Sequence, residues 1–212
     1  MTSYAIDVDS AATVTGELKF VQERNIRLSI KNTDHNYIER SNDRDFLTLW
    51  MHNLNNMSFF NYSSSDYIDF VAKADVNIQF FDIYRKTVNH EVRVLDEYCS
   101  SVKIIEDYVQ SERHELLAAS YDMTVNNTLE FEIMTVDDRH LIVSLTQNLN
   151  LYWALSDEEA DTYVVILLTM IKAHVDAFFS LFNMNSDKYW AVVEAFQKHL
   201  LVLNSILNFA IL

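Results

Sequence analysis

The sequence has one glycine, Gly16, and no proline in 212 residues. Average chains carry about 7% glycine and 5% proline. The shortage excludes whole classes of chemistry. A dinucleotide fingerprint, a phosphate-binding loop, a kinase glycine loop and the nucleophile elbow of α/β-hydrolases each need two or more glycines. Turns must instead be built from Asn, Asp and Ser, which tolerate left-handed backbone and make their own turn hydrogen bonds.

Cysteine is equally scarce. Cys99 is the only one, so no disulfide closes within the chain and no thiolate zinc site can form. Asp96 and Glu97 beside it would raise its pKa, which argues against a nucleophile. Positive charge is also short. Lys and Arg number 16 against 31 Asp and Glu, a net charge of −15, and no basic run exceeds Arg85-Lys86. Binding the phosphate backbone needs basic clusters, so direct nucleic-acid binding is not expected. The first residues, Met1-Thr2-Ser3-Tyr4, lack the charged-then-apolar pattern of a signal peptide, and a cytoplasmic location is expected, the host cytoplasm for a viral protein.

What is present is apolar surface. Half of the residues are hydrophobic, enough for a real core. The richest stretch is 156–212. Ser156 and Glu159 fit a capping box. From there to about 182 the polar residues form a narrow stripe at helical spacing. Asn183-Met184-Asn185 breaks the pattern, and Ser186-Asp187 starts a second helix with an equally thin polar stripe. The apolar faces are wider than a surface helix needs. Lys172, His174, Asp176, Lys198 and His199 interrupt them, so no membrane span is expected.

Earlier in the chain, 4–31 reads as a β-hairpin, with Val14, Gly16, Leu18 and Phe20 alternating before a turn at 23–25 and Ile26, Leu28 and Ile30 after it. Asn25 is a candidate for positive φ. A short helix is expected over 44–53, another over 67–74, and helix is favoured from 76 to 98 with a break near Asn89-His90. Residues 99–120 read as helix. Leu129, Phe131 and Ile133 alternate as a strand, Asp137-Asp138 as a turn and 140–145 as a returning strand. The expected fold class is α+β: an N-terminal hairpin and middle helices and strands packed around a long C-terminal antiparallel helical hairpin. The expected organisation is a mixed α+β region over 1–155 and the hairpin over 156–212, in one continuous domain.

No catalytic or cofactor-binding residue stands out, and no cofactor is expected. His174 and His199 are the candidate metal ligands, because an antiparallel hairpin would place them about one turn apart. The paired Glu-x-x-His motifs of a di-iron bundle are missing. Trp50, Phe59, Phe60, Tyr62, Tyr189 and Trp190 are candidate interface anchors, since Trp and Tyr dominate contact hot spots.

The stretches 18–32 and 139–155, around Trp153, resemble the poxviral Bcl-2-like inhibitors of host signalling, but in generic apolar patterns that assign nothing. The Asn-, Asp- and Ser-rich, glycine-poor style is similar to that of large-bacteriophage proteins. The expectation is a non-enzymatic protein-protein interaction or structural subunit of viral or phage type, binding a protein partner or itself as a homo-oligomer. The alternative is an acidic inhibitor that mimics nucleic acid, with Glu91, Asp96, Glu97, Glu106, Asp107, Glu112 and Glu115 as the phosphate-like charges.

Overall fold

A computed structural model describes residues 4–33, 44–95, 99–110, 118–157, 164–175 and 186–203. Within them the chain forms two main sheets. The first is three-stranded and parallel, in the order β1-β3-β2, from Tyr4–Asp7 (β1), Arg27–Lys31 (β2) and Phe46–Trp50 (β3). Helix α1, Ala11–Arg24, crosses from β1 to β2. The hairpin expected over 4–31 is therefore a β-α-β crossover. Its apolar residues fit both periods, and packing decided. Val14, Leu18 and Val21, at helical spacing, are the buried ones, while Gly16 and Phe20 of the alternating reading face solvent. Ser10 caps the helix by accepting from the Thr13 N–H, and Asn25 closes it in the left-handed region at φ 51°.

The second sheet has five strands in the order β4-β5-β9-β7-β8. They are Met57–Ser63 (β4), Ile68–Asp75 (β5), Thr128–Thr135 (β7), His140–Ser144 (β8) and Val164–Lys172 (β9). β4 and β5 form one antiparallel hairpin, β7 and β8 another, and β9 joins them by pairing antiparallel with both β5 and β7. A two-stranded ribbon pairs Val92–Arg93 (β6) with His174–Val175 (β10). The helices are Phe80–His90 (α2), Ala118–Tyr121 (α3), Thr124–Asn127 (α4), Leu149–Asp157 (α5) and Ser186–Leu203 (α6), with a π-helical turn at Ile104–Val109.

The expected C-terminal helical hairpin is not the organising element. Among the described residues, its expected first arm holds the end of α5 and then β9 and β10, and its expected second arm is helical over 186–203. The run Val164-Val165-Ile166-Leu167-Leu168-Thr169-Met170-Ile171 is apolar on every side because β9 is a central strand, covered on both faces. Val165, Leu167, Thr169 and Ile171 are buried, and so are Ile166 and Met170. Periodicity alone cannot separate such a strand from a buried helix. Residues 176–185 and 204–212, the turn and end of that expected hairpin, lie outside the described residues. The short helices expected over 44–53 and 67–74 are strands β3 and β5.

One core joins the two sheets. Leu49 and Met51 from the small sheet, Val14 and Leu18 from α1, Phe131 and Ile133 from β7 and Phe80 from α2 are all essentially inaccessible. α1 also reaches the large sheet through polar contacts. Lys19 pairs with Asp138 at 2.8 Å, and the Gln22 amide donates to the Val136 carbonyl. Tyr152 of α5 donates its hydroxyl to the Thr128 carbonyl at 2.8 Å, tying α5 to the start of β7.

Candidate functional site

In open sheets with parallel strands, ligands collect beyond the carboxyl ends of the strands. Here that edge is assembled by two backbone bonds that extend the ladder. The Val8 N–H donates to the Trp50 carbonyl at 2.9 Å, and the Met51 N–H to the Lys31 carbonyl at 3.0 Å. They place Val8, Met51 and Asn32 side by side just past β1, β3 and β2. Val8 and Met51 are fully buried. Trp50 stacks on His52 with centroids 4.9 Å apart, and the Asn53 amide donates to Asp7 at 2.7 Å.

Asn32 is the unusual residue of this edge. It is 5% exposed, and neither its Oδ1 nor its Nδ2 has a hydrogen-bond partner. Leaving a buried polar group unpaired costs about 1–3 kcal/mol, so an amide orphaned at both atoms calls for an ordered water or a bound molecule as its partner.

The helix start at the same edge is already spoken for. Asp9 Oδ1 accepts from the Thr13 hydroxyl at 2.6 Å and from the Ser10 hydroxyl at 3.0 Å. These bonds, Thr13's first, hold its carboxyl below the usual carboxylate range. A negative charge thus sits at the positive end of α1, where a bound anion would otherwise go.

The residues singled out from the sequence are dispersed. His174 lies on β10, 3.0 Å from Asn127 Oδ1, with its ring 4.5 Å from that of Tyr121. His199 lies exposed on α6, its Nδ1 2.7 Å from the Ala195 carbonyl. Among the described residues no group of three or more His, Cys, Asp and Glu is placed to hold a metal. Trp50 is on β3. Phe59, Phe60 and Tyr62 are on β4, where Phe59 packs between Phe70 and His90 and Phe60 faces outward. Tyr189 and Trp190 pack edge to face on α6, with centroids 5.2 Å apart, and both are exposed. Cys99 is exposed, its sulfur 3.2 Å from the Ser101 hydroxyl. Asn32 carries no motif signal in the sequence. Only a parallel reading of β2 would have put it at a ligand edge.

The fold is of the VAO flavoprotein type. The crystal structure of the VAO-type flavoprotein MtVAO615 from Myceliophthora thermophila C1 superposes on 95% of this chain with a TM-score of 0.81 at 35% identity, using 38% of its own length. In sequence, the chain is 36% identical over 202 residues to the VAO-type flavoprotein oxidase VAO615 of Thermothelomyces thermophilus, covering 92% of this chain and 35% of that protein. It is 36% identical over 174 residues to the FAD-linked oxidoreductase orf1 of Neocamarosporium betae, covering 82% and 30%. No protein-family model matches. The chain spans about a third of the length of these relatives.

These findings overturn the expectation of a non-enzymatic viral or phage interaction protein, and with it the nucleic-acid mimic. The similar proteins are named as flavoprotein oxidases and FAD-linked oxidoreductases. The acidic composition misled, because net charge speaks to solubility and partners and not to fold.

FAD has a neutral ring system and a diphosphate arm, and the described residues suit the two differently. A diphosphate is usually cradled by backbone N–H groups that approach closely where glycine leaves room. The only glycine, Gly16, lies inside α1, where an added Cβ would meet nothing within 4 Å, so it keeps no close approach open. The α1 N-terminus carries its own carboxylate. The Asn32 amide, with a donor and an acceptor both unpaired, suits an uncharged ring edge.

Proposed function

We propose that this chain forms part of an FAD-linked oxidoreductase, with the flavin at the carboxyl edge of the β1-β3-β2 sheet. The observation that carries the reading is the joint agreement of sequence and fold with a VAO-type flavoprotein along 95% of the chain. A bound flavin supplies the redox chemistry by accepting a hydride equivalent from a substrate. The chain's own contribution is binding and exclusion of water. Asn32 offers one donor and one acceptor to the ring, and buried Val8 and Met51 floor the edge with apolar surface. Low local polarity strengthens each hydrogen bond made there.

The test is titration of the purified protein with riboflavin and with FAD, followed by flavin fluorescence and equilibrium dialysis. Saturable quenching at one flavin per chain is the expected result. Absence of binding by both flavins ends this reading.

A further inference from the structure

β4 is the outermost strand of the five-stranded sheet and pairs with β5 alone. The Asp75 N–H donates to the Asn56 carbonyl at 2.9 Å, which fixes the phase of that ladder. Bonded and non-bonded positions alternate along an antiparallel pair. Ser58, Phe60 and Tyr62 therefore turn their backbone groups inward, toward Lys73, Val71 and Asp69, while Met57, Phe59, Asn61 and Ser63 turn theirs outward. The far side of β5 agrees in phase, since the Phe70 carbonyl, opposite Asn61, accepts from the Ala173 N–H just after β9. Among the described residues nothing bonds to the outward groups of β4. The other edge of the sheet is guarded. The Asn148 amide donates to the Ile142 carbonyl of β8 at 2.7 Å, and the Ser144 N–H donates to the Gln147 carbonyl at 2.8 Å. We infer that β4 is the surface through which two copies of this chain associate, strand against antiparallel strand, with Phe60 on the two-fold axis.

Charge selects the occupant. The chain carries −15, so a second copy is repelled wherever acid meets acid. Residues 57–63, Met-Ser-Phe-Phe-Asn-Tyr-Ser, hold no charged side chain. The Lys, Pro or inward charge that usually blunts an exposed edge is missing from this strand. Register then selects the axis. Every outward group of β4 finds a mate only when Met57 faces Ser63 of the second copy and Phe59 faces its Asn61. That full overlap sets Phe60 opposite Phe60 in a non-bonded pair, where side chains come closest and aromatic contact adds to the backbone bonds. Phe60 is 37% exposed, so it has surface left to bury. The contact is isologous, and it closes on itself without leaving a free strand edge between the copies.

A single strand pair is smaller than the standard interface of about 1,600 Å², so the dimer should come apart on dilution. Sedimentation velocity of the intact chain should show mostly dimer at about 100 µM and mostly monomer at about 1 µM. Phe60→Lys sets two like charges on the axis and should weaken the dimer about tenfold or more. Asn61→Pro deletes an outward N–H, leaves the β4–β5 ladder whole and should weaken the dimer as well. Thermal melting of each variant at low concentration checks that the monomer still folds. In a Cys99→Ser background, Phe60→Cys should give a disulfide-linked dimer on oxidation by dioxygen. Ser58→Cys, which faces Tyr62 of the second copy, should give little. A chain that stays monomeric at about 100 µM, or a dimer indifferent to both Phe60→Lys and Asn61→Pro, would overturn the inference. So would Ser58→Cys crosslinking as readily as Phe60→Cys, because the axis would then lie elsewhere.

Discussion

Among the described residues six non-glycine ones hold positive φ: Asn25, Asp45, Glu91, Asp122, Asp138 and Asn148. Five are Asn or Asp, as a chain with a single glycine requires, because their short polar side chains tolerate the left-handed region. Glu91 is the exception. It closes α2 at φ 54° with its N–H shared between the Thr87 and Val88 carbonyls. Its side chain gains nothing from that conformation, which costs an L-residue about 1–2 kcal/mol. Glu91→Gly should therefore raise the melting temperature by about 2–4 °C for each kcal/mol recovered, readable by calorimetry. Glu130 on β7 makes a second prediction. Burial first, and then the neighbouring Glu132 charge, push its carboxyl above the ordinary value, with Lys73 opposing. A raised folded value means stability that is fully present below the unfolded value and lost as pH rises through the folded one. Glu130→Gln should thus stabilise the protein in urea unfolding at pH 7, and the gain should disappear near pH 4.

At the scale of elements, the strands with one wet face could be read directly. β7 alternates Leu129, Phe131 and Ile133 against Glu130 and Glu132, and β8 follows a turn closed by Asp138 at φ 64°. α2 and α6 also lie where helices are expected, because apolar residues recur at helical spacing in them. The elements that misread share a cause. β9 is apolar all round because sheet partners flank it and core covers both faces, and α1 carries apolar residues at spacings that satisfy two periods. Tertiary contact decides both cases, and no local signal contains it. Asn32 could not be read for the same reason, since its meaning comes from Val8 and Met51 beside it. The packing role of β7 is testable. Phe131 is fully buried, 6.0 Å from the Tyr152 ring, and Phe131→Ala should cost about 3–5 kcal/mol. Against a total stability of roughly 5–15 kcal/mol, denaturant titration should show a much earlier midpoint or loss of the folded state.

At the scale of the molecule, the charge of −15 is a standing self-repulsion. Described cations are engaged locally, as in Lys19–Asp138, Arg139–Asp137 and Lys198–Glu194. These are exposed pairs that contribute little each. Thermal stability should accordingly climb between about 0.01 M and about 0.15 M NaCl as screening sets in. A flat or falling melting temperature across that range would show that the pairs, and not the excess acid, dominate. No helix among the described residues is long and apolar enough to cross a membrane.

The placement of β9 also sets an order of events during synthesis. It is the third strand across the five-stranded sheet but the last of those five to be made. Until it leaves the ribosome, the β4-β5 and β7-β8 hairpins each present a bare inner edge, and unpaired edges recruit other chains. Closing the sheet needs contacts between distant parts of the sequence, which slows folding. The nascent chain therefore passes through a window in which two sticky half-sheets wait for one strand, and β9 is the piece whose arrival ends that exposure.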